Sequence, residues 1–356
     1  MIESAKNPAA SILSPKELGT EDEVVPANLR PKRFNEFIGQ TSIIEKLRVF
    51  IAAARERHEP LDHTLFLGPP GLGKTTLANV IAAEMGVQIK ITSGPIITRP
   101  GDVAALLTGL KFGDILFIDE IHRLSKAVEE VLYPAMEDYY FDVLVGKGPT
   151  ARTLRLKVQP FTLVGATTRE GDISAPLRGR FGVASRIDYY SPAELSELIK
   201  SLSIKLAYPI EDDAAIEIAR RARGTPRVAI RLFKRMRDVA QVEKLAKISL
   251  KVVERGMDML KIDRLGLDYI DRKILEVLIL RFDGGPVSLD TLAVSVGEEA
   301  DTIYDVYEAF LIQTGFLART NRGRIATKAA FQFLGVKPPE KPPEKSMPVQ
   351  LPLTDI

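Results

Sequence analysis

The sequence predicts an α/β domain on a parallel sheet, then a small all-α domain of four helices, then a winged helix. Three observations carry this. A glycine-rich run, Gly68-Pro69-Pro70-Gly71-Leu72-Gly73-Lys74-Thr75, sits between an apolar strand and a helical stretch. Two more apolar runs, Ile115–Ile118 and Phe161–Ala166, lack polar alternation, as strands buried on both faces do, and end in acids or hydroxyls. From Ser191 the strand pattern stops, and helices follow until three helices and a hairpin close the chain. The divisions expected are a disordered lead over 1–24, the α/β domain over 25–190, the helical domain over 191–262, the winged helix over 263–336 and a proline-rich disordered tail over 337–356.

Composition limits the functions available. The 356 residues carry a net charge of +2 and 45% hydrophobic residues, so several cores are affordable and no global field draws the chain to nucleic acid. There is no cysteine, which excludes disulfides and thiolate metal sites. His58, His63 and His122 are too scattered for an imidazole metal site. No apolar run reaches the roughly 20 residues that span a bilayer, and Met1–Val24 lacks the basic-then-apolar order of a signal peptide. The expectation is a cytoplasmic protein without a membrane partner.

Taken in order, Val25–Gln40 sets Leu29, Phe34, Phe37 and Ile38 in a polar, proline-punctuated stretch. It either packs on the core or forms one wall of an adenine pocket. A helix follows over Ser42–Arg57. In the glycine-rich run, Gly68, Gly71 and Gly73 let backbone N–H groups turn inward onto a polyphosphate. Lys74 offers a mobile cation to the β/γ-phosphates, and the Thr75 hydroxyl is a ligand for Mg²⁺. The helix that starts there adds unsatisfied N–H groups. Gln88–Thr92 alternates as a strand and Asp102–Leu110 reads as a short helix.

Asp119 and Glu120 stand at the carboxyl end of a buried strand, where open α/β sheets bind ligands. One carboxylate can face the metal while the other polarises the attacking water. Ser125–Asp138 is an amphipathic helix, with Ser125 expected to cap it and Pro134 to kink it. Two alternating runs around Gly146-Lys147-Gly148-Pro149 predict a hairpin. Its apolar residues Val143, Leu144, Val145, Leu154 and Leu156 mark either a partner site or a hairpin folded flat on its own domain. Thr167-Thr168 ends the next strand, where either hydroxyl can hold the water or sense the γ-phosphate. Arg178 and Arg180 flank Gly179 ahead of a strand over Ala184–Tyr190, placed as solvated surface or as charge for a neighbour's phosphates.

Ser191-Pro192 opens the first helix of the all-α part. Helices over Ile210–Arg223, Thr225–Gln241 and Leu250–Leu260 follow. Arg227 falls in the first turn of its helix, opposing the dipole, which makes sense opposite an anion. Tyr269–Phe282, Ser288–Val296 and Ala300–Gln313 are the next three helices, and Phe316–Thr320 and Arg324–Ala326 form the hairpin wing. Asp301, Asp305 and Glu308 make the third helix a poor reader of the major groove. Arg319, Arg322 and Arg324 suit the wing for sequence-independent contact with DNA backbone.

GPPGLGKTT, ILFIDEIHRL, LVGATTR, PLRGRFG and ARRARGTPR, in this order and spacing, resemble the RuvB family of AAA+ ATPases, the motors of Holliday-junction branch migration. The resemblance runs from Leu29 to Val336 and leaves out both tails. It implies an AAA+ P-loop core, a lid, a winged-helix head, and a homohexameric ring on duplex DNA at Holliday junctions. It implies ATP and ADP as nucleotides with Mg²⁺, RuvA as partner through the Tyr140–Val158 hairpin, and room for the RuvC resolvase. Carried over by motif, Lys74 and Thr75 bind phosphate and metal, and Asp119 and Glu120 are the metal-side and water-polarising acids. Thr168 is the sensor, ahead of Thr167. Arg180 is the arginine finger for the adjacent subunit, and Arg227 is the lid sensor. Leu29, Arg30, Gly71, Gly73, Thr76, Glu137, Tyr139 and Tyr190 fall at nucleotide-contact positions, and Arg319 and Arg324 at DNA contacts, with Arg322 between them. A clamp loader would share the ATPase residues but needs no winged helix. A protein unfoldase carries an aromatic pore loop, and Ser93–Leu110 contains no aromatic residue.

Overall fold

In the computed structural model, residues 29–145 and 152–338 are described. The expected N-terminal lead, the Gly146–Pro149 turn and the proline-rich tail beyond 338 lie outside them. The described chain forms two compact units, one of residues 29–206 with 224–230, the other of 207–223 with 231–338.

The first unit is built on a five-stranded sheet with the order β2-β3-β6-β1-β7. All its pairings are parallel. β1 (Thr64–Leu67) and β6 (Thr162–Thr167) are buried at every position, and β3 (Ile115–Asp119) at all but its last. Their unbroken apolar runs suit a sheet covered by helices on both faces. β2 (Ile89–Ser93) and β7 (Val183–Arg186) are the two ends of the order and are more open. β7 is shorter than its sequence suggests. The Ile187 N–H still donates to the Leu67 carbonyl at 2.8 Å, but β1 ends there, so residues 188–190 have no strand to pair with.

Helices α1 (Thr41–Arg57), α2 (Lys74–Met85), α3 (Pro100–Thr108) and α4 (Lys126–Glu137) alternate with the strands. Ser125 takes the cap position of α4, but its side chain makes no capping bond, and the helix runs on through Pro134. β4 (Tyr140–Val145) and β5 (Arg152–Lys157) form the antiparallel hairpin. At its base Phe141 is fully buried and Leu156 leans on the domain core, while Leu154 is exposed. Asp142 and Arg155 pair across the strands at 3.0 Å. A short helix, α5 (Ala175–Arg178), precedes β7. α6 (Pro192–Lys205) starts in a full capping box: Ser191 Oγ accepts from the Glu194 N–H, and the Glu194 carboxylate accepts from the Ser191 N–H.

In the second unit, α7 (Asp212–Arg221) and α9 (Leu250–Met259) pack together, and α8 (Pro226–Val242) runs into it from residue 231. α10 (Tyr269–Glu276) continues as a π-helical stretch to Arg281. α11 (Leu289–Val296) follows. The third helix of the head is α12 (Ala300–Thr302), a π-helical segment (Ile303–Glu308) and α13 (Ala309–Gln313) in one rod. β8 (Leu317–Thr320) and β9 (Gly323–Ala326) make the wing. A closing helix, α14 (Lys328–Phe333), had no counterpart in the sequence reading. Its Ala330 and Phe331 complete the head's core around Tyr307 and Leu278.

This unit also holds a buried ion pair. The Arg223 guanidinium donates to Asp271 and to the Gly266 carbonyl, and it lies over the Phe310 ring at 4.6 Å. Asp271 is completely buried and belongs to the capping box of α10 with Asp268. Burial pushes the Asp271 carboxyl well above its usual range, and Arg223 opposes that rise. Among the described residues, no helix is long and apolar enough to cross a membrane.

Candidate functional site

The glycine-rich run leaves β1 and turns directly into α2. Gly68 has φ +143°, and a Cβ there would meet the Ile187 carbonyl oxygen at 2.5 Å. Gly71 has φ +79°, and its missing Cβ makes room for the Arg227 side chain 3.0 Å away. Both positions need glycine for space as well as for dihedral angle. Leu72, fully buried, anchors the loop. Lys74 is buried too, and its ammonium donates to the Gly68 and Pro69 carbonyls at 2.9 and 2.8 Å. Thr75 and Thr76 occupy the first turn of α2, where helix N–H groups favour an anion.

A cleft opens beside this turn. Gly73 and Thr76 form its floor, Leu29, Arg30, Phe37 and Ile38 one wall, and Tyr190 another. Thus the described part of this stretch, from Leu29 on, does build a pocket wall, although Phe34 points elsewhere, buried under Arg48 at 5.7 Å. The last wall is Leu198 and Leu202 of α6 with Pro226 and Ile230 of α8. Sequence reasoning missed these four. Their spacing is ordinary helical periodicity, and only the fold turns that face to the loop. Tyr190 is held by its N–H on the Gly224 carbonyl at 2.9 Å, and the Arg227 N–H reaches the Gly71 carbonyl at 3.3 Å. An apolar slot with few polar groups, opening on a phosphate-binding turn, suits a purine nucleotide.

The acids lie across the loop at the end of β3, and β6 separates β3 from β1. Asp119 Oδ1 accepts from the Glu120 N–H at 2.9 Å. Glu120 sits in the left-handed region (φ +47°, ψ +43°), a strained setting for a side-chain-bearing residue, and its carboxylate meets Arg123 at 3.2 Å. The two candidate sensor hydroxyls separate here. Thr167 is buried, and its Oγ1 accepts from the Arg169 N–H at 3.0 Å and contacts His122 Nδ1 at 2.8 Å. Burial lowers the His122 pKa, so the ring is neutral at neutral pH and Nδ1 can accept the Thr167 proton. Thr168 follows at the half-buried mouth of the strand.

Arg180 and Glu137 form a separate pair, and neither they nor Tyr139 line the cleft. Arg180 donates to the Pro176 carbonyl at 2.7 Å and to Glu137 at 3.1 Å, with its guanidinium 4.4 Å above the Tyr133 ring. Buried Glu129 accepts from both Tyr133 Oη and Ser174 Oγ at 2.6 Å, and Ser174 caps α5, which ends two residues before Arg180. The Tyr139 ring stacks edge-on against Phe161 at 6.4 Å. Among the described residues no cluster of three or more His, Cys, Asp or Glu could hold a metal.

In the wing, Arg319 and Arg322 are exposed. Arg324 is not: its guanidinium lies on the carboxylate of Glu308 at 2.9 Å, and both residues are buried. This corrects the reading of Glu308 as a solvent-facing acid and of Arg324 as a surface cation. Charge patterning along one element cannot reveal a partner on another.

Comparison with known proteins accounts for this combination. The family of the Holliday junction DNA helicase RuvB P-loop domain matches residues 29–187, the RuvB AAA lid domain 190–263, and the RuvB C-terminal winged helix domain 264–335. The solved structure of the Thermotoga maritima RuvB Holliday junction branch migration motor is 52% identical, with a TM-score of 0.80 over 87% of this chain and 99% of that one. A point variant of the same Thermotoga maritima protein gives 52% identity and a TM-score of 0.81 over 88% and 100%. Three domain families in unbroken order, and the nucleotide loop, acids and wing placed as described, carry one conclusion: the chain belongs to the RuvB family of Holliday-junction branch-migration motors and is a P-loop ATP hydrolase.

Proposed function

We propose that this protein works as a homohexameric ring in the cytoplasm. The ring draws duplex DNA through a Holliday junction in recombination and repair, together with RuvA, and hydrolyses ATP at the contacts between subunits. The observation that carries the reading is the separation of Arg180 from the cleft of its own chain. The guanidinium is pre-set by Pro176, Glu137 and the Tyr133 ring. It pairs with Glu137, which the family resemblance assigns to nucleotide. A group prepared in this way, yet not lining its own pocket, fits a finger that completes the pocket of a neighbour.

In this reading the base lies between the Leu29–Ile38 wall and Tyr190, and the backbone from Gly71 to Thr76 cradles the phosphates. Lys74 exchanges its carbonyl partners for the β- and γ-phosphate oxygens. Glu120 orients a water on the γ-phosphorus and takes up its proton as the bond to the ADP oxygen breaks. Arg180 of the adjacent subunit and Lys74 stabilise the charge that spreads over the transferring phosphoryl group. Thr168 reports whether the γ-phosphate is present, and Arg227, packed on Gly71, reports it to α8. The hard-oxygen donors Thr75 and Asp119 fit Mg²⁺, which is commonly held by one or two protein groups plus substrate phosphates and supplies charge neutralisation there. Residues 191–262 serve as the lid and 263–336 as the DNA-binding head. Exposed Leu154 on the hairpin fits docking of RuvA, and the RuvC resolvase is a further partner.

The test is branch migration of a synthetic four-way junction with ATP, with and without RuvA. Migration that depends on both supports the proposal. For the intersubunit site, rings made wholly of Arg180→Ala subunits should bind ATP and hydrolyse it at least about a thousandfold more slowly. Normal turnover in such rings would refute the finger.

A further inference from the structure

We propose that Lys205 is a positioning residue of the nucleotide cleft. Its ammonium latches the leading arm of the 29–38 segment to α6, ties two walls of the slot together, and slows passage of the base in both directions. The inference rests on the reading that the base lies in this cleft, and goes beyond it.

Helical spacing brings Lys205 to the cleft. Leu198, Ser201, Leu202 and Lys205 share one face of α6, three and four residues apart, and all of them line the cleft. A lysine in the last turn of a helix suits the helix dipole and ordinarily faces water. Lys205 does more than that. Its Nζ donates to the Leu29 carbonyl at 3.3 Å and stands 3.9 Å from the Glu36 carboxylate. Its side chain is 34% exposed, as fits a stem laid on an apolar wall with the ammonium at the water's edge.

The rest of the segment is fastened by other means. Phe34 is buried, and its N–H donates to Glu84 Oε1 at 3.1 Å. Arg33 donates to the Ala83 carbonyl at 3.0 Å and pairs with Glu84 at 3.3 Å, at the end of α2. Further on, the Gln40 side chain exchanges hydrogen bonds with the backbone of Asp188 at 2.7 and 3.3 Å. These bonds hold the segment to the helix of the glycine-rich loop and to the exit of β7. Leu29, Arg30 and Pro31, which line the cleft, precede all of them. An arm anchored from Arg33 onward can swing about that anchor. The Lys205 contacts fall on this arm and its base: on Leu29 itself, and on Glu36, whose Oε2 also accepts from the Lys32 N–H at 3.2 Å. The ammonium thus pins the arm to the wall that Leu198 and Leu202 form.

Lys205→Met keeps an apolar stem and removes the charge and the donor. Dissociation of a ribose-labelled fluorescent ADP from the full chain should quicken about fivefold, as for a charged hydrogen bond partly screened by water. Association should quicken too, because a latch retards passage both ways, so the equilibrium affinity moves less than either rate. Lys205→Arg keeps a charged donor and should restore the parent rates. Stopped-flow fluorescence reads both rates, with thermal melts alongside to show that the variants fold as the parent does. Pyrophosphate, which carries no base, competes for the loop alone, and its affinity should be the same for the parent and Lys205→Met. Faster dissociation without faster association, or weaker pyrophosphate binding, would mean that Lys205 touches the nucleotide itself, and the proposal falls. Unchanged rates would leave Lys205 as a helix-end cation and overturn the latch. If the parent binds ADP no more tightly than pyrophosphate, the cleft does not hold the base. That result overturns the reading of the cleft, and this inference with it.

Discussion

Replacing Arg223 with alanine should be the most damaging single change outside the ATPase motifs, and its cost should depend on pH. The Arg223 side chain is 5% exposed and that of Asp271 0%, so deletion of the guanidinium strands a carboxylate with no access to water. Breaking such a pair from one side typically costs about 3–5 kcal/mol, a large share of the roughly 5–15 kcal/mol that holds a domain folded. For a unit of this size that is a fall in Tm of about 6–20 °C. The stranded Asp271 will also hold a proton. Burial already drives its carboxyl upward, and the variant loses the group that opposes the rise. The folded chain then binds one proton more than the unfolded chain between the ordinary carboxylate pKa and the raised one. Stability must therefore fall as pH rises through that window. The deficit of Arg223→Ala against the parent should be smaller at pH 5 than at pH 8. Thermal melts and urea unfolding of the full chain, followed by circular dichroism at both pH values, measure this. Arg223→Met with Asp271→Leu should recover most of the loss. A Tm within about 2 °C of the parent, or a deficit equal at the two pH values, would refute the claim that Asp271 is buried and dependent on Arg223.

Four further substitutions test the site and the helix beside it. Gly71→Val should lower nucleotide affinity more than about tenfold, because it combines a positive φ with a Cβ against Arg227; titration with a fluorescent ADP analogue reads this directly. Thr167→Val should cost about 1–3 kcal/mol of stability by leaving His122 and the Arg169 N–H without their partner. Thr168→Ala should instead spare stability and nucleotide binding and reduce kcat; turnover and melting curves on the two variants separate the roles, and reversed phenotypes would exchange them. Ser191→Ala should lower stability by about 1 kcal/mol through loss of the α6 capping box, seen as a shift of the thermal midpoint with ADP binding retained.

What could be read from the chain alone was what proximity in sequence encodes. The nucleotide loop spans Gly68–Thr75, and its requirements are met by glycines and a lysine within one turn. The buried strands declared themselves by apolar runs, and Ser191-Pro192 with Glu194 spelled a helix start that the structure repeats. The rest depends on partners far apart in sequence. Arg324 looked like a surface cation because Glu308 lies on another element. Arg223 stood only as the end of a helix because Asp271, its partner, lies 48 residues away. The sensor pair Thr167-Thr168 was ambiguous because both are small hydroxyls at a strand end, and His122, which engages one of them, belongs to a different strand's exit. Ser125 shows the opposite failure: the right residue stands at the cap position, yet its side chain makes no capping bond.

The strand order has a consequence for how the protein is made. β1 carries the loop and β3 carries the acids, but the strand that lies between them, β6, is the last of the three to be synthesised. On the ribosome, at about 5–20 residues per second, roughly 100 residues and thus about 5–20 seconds separate the two events. Once β3 is made, over roughly the last 40 of those residues, the nascent chain holds two apolar edges that belong to a common partner not yet available. No nucleotide can help to fold them, since its site has no middle. The centre of the sheet is therefore the exposed stage of biogenesis, where a chaperone would be needed most. Slowing translation between Asp119 and Thr162 should lower the yield of folded protein more than slowing it after Thr167.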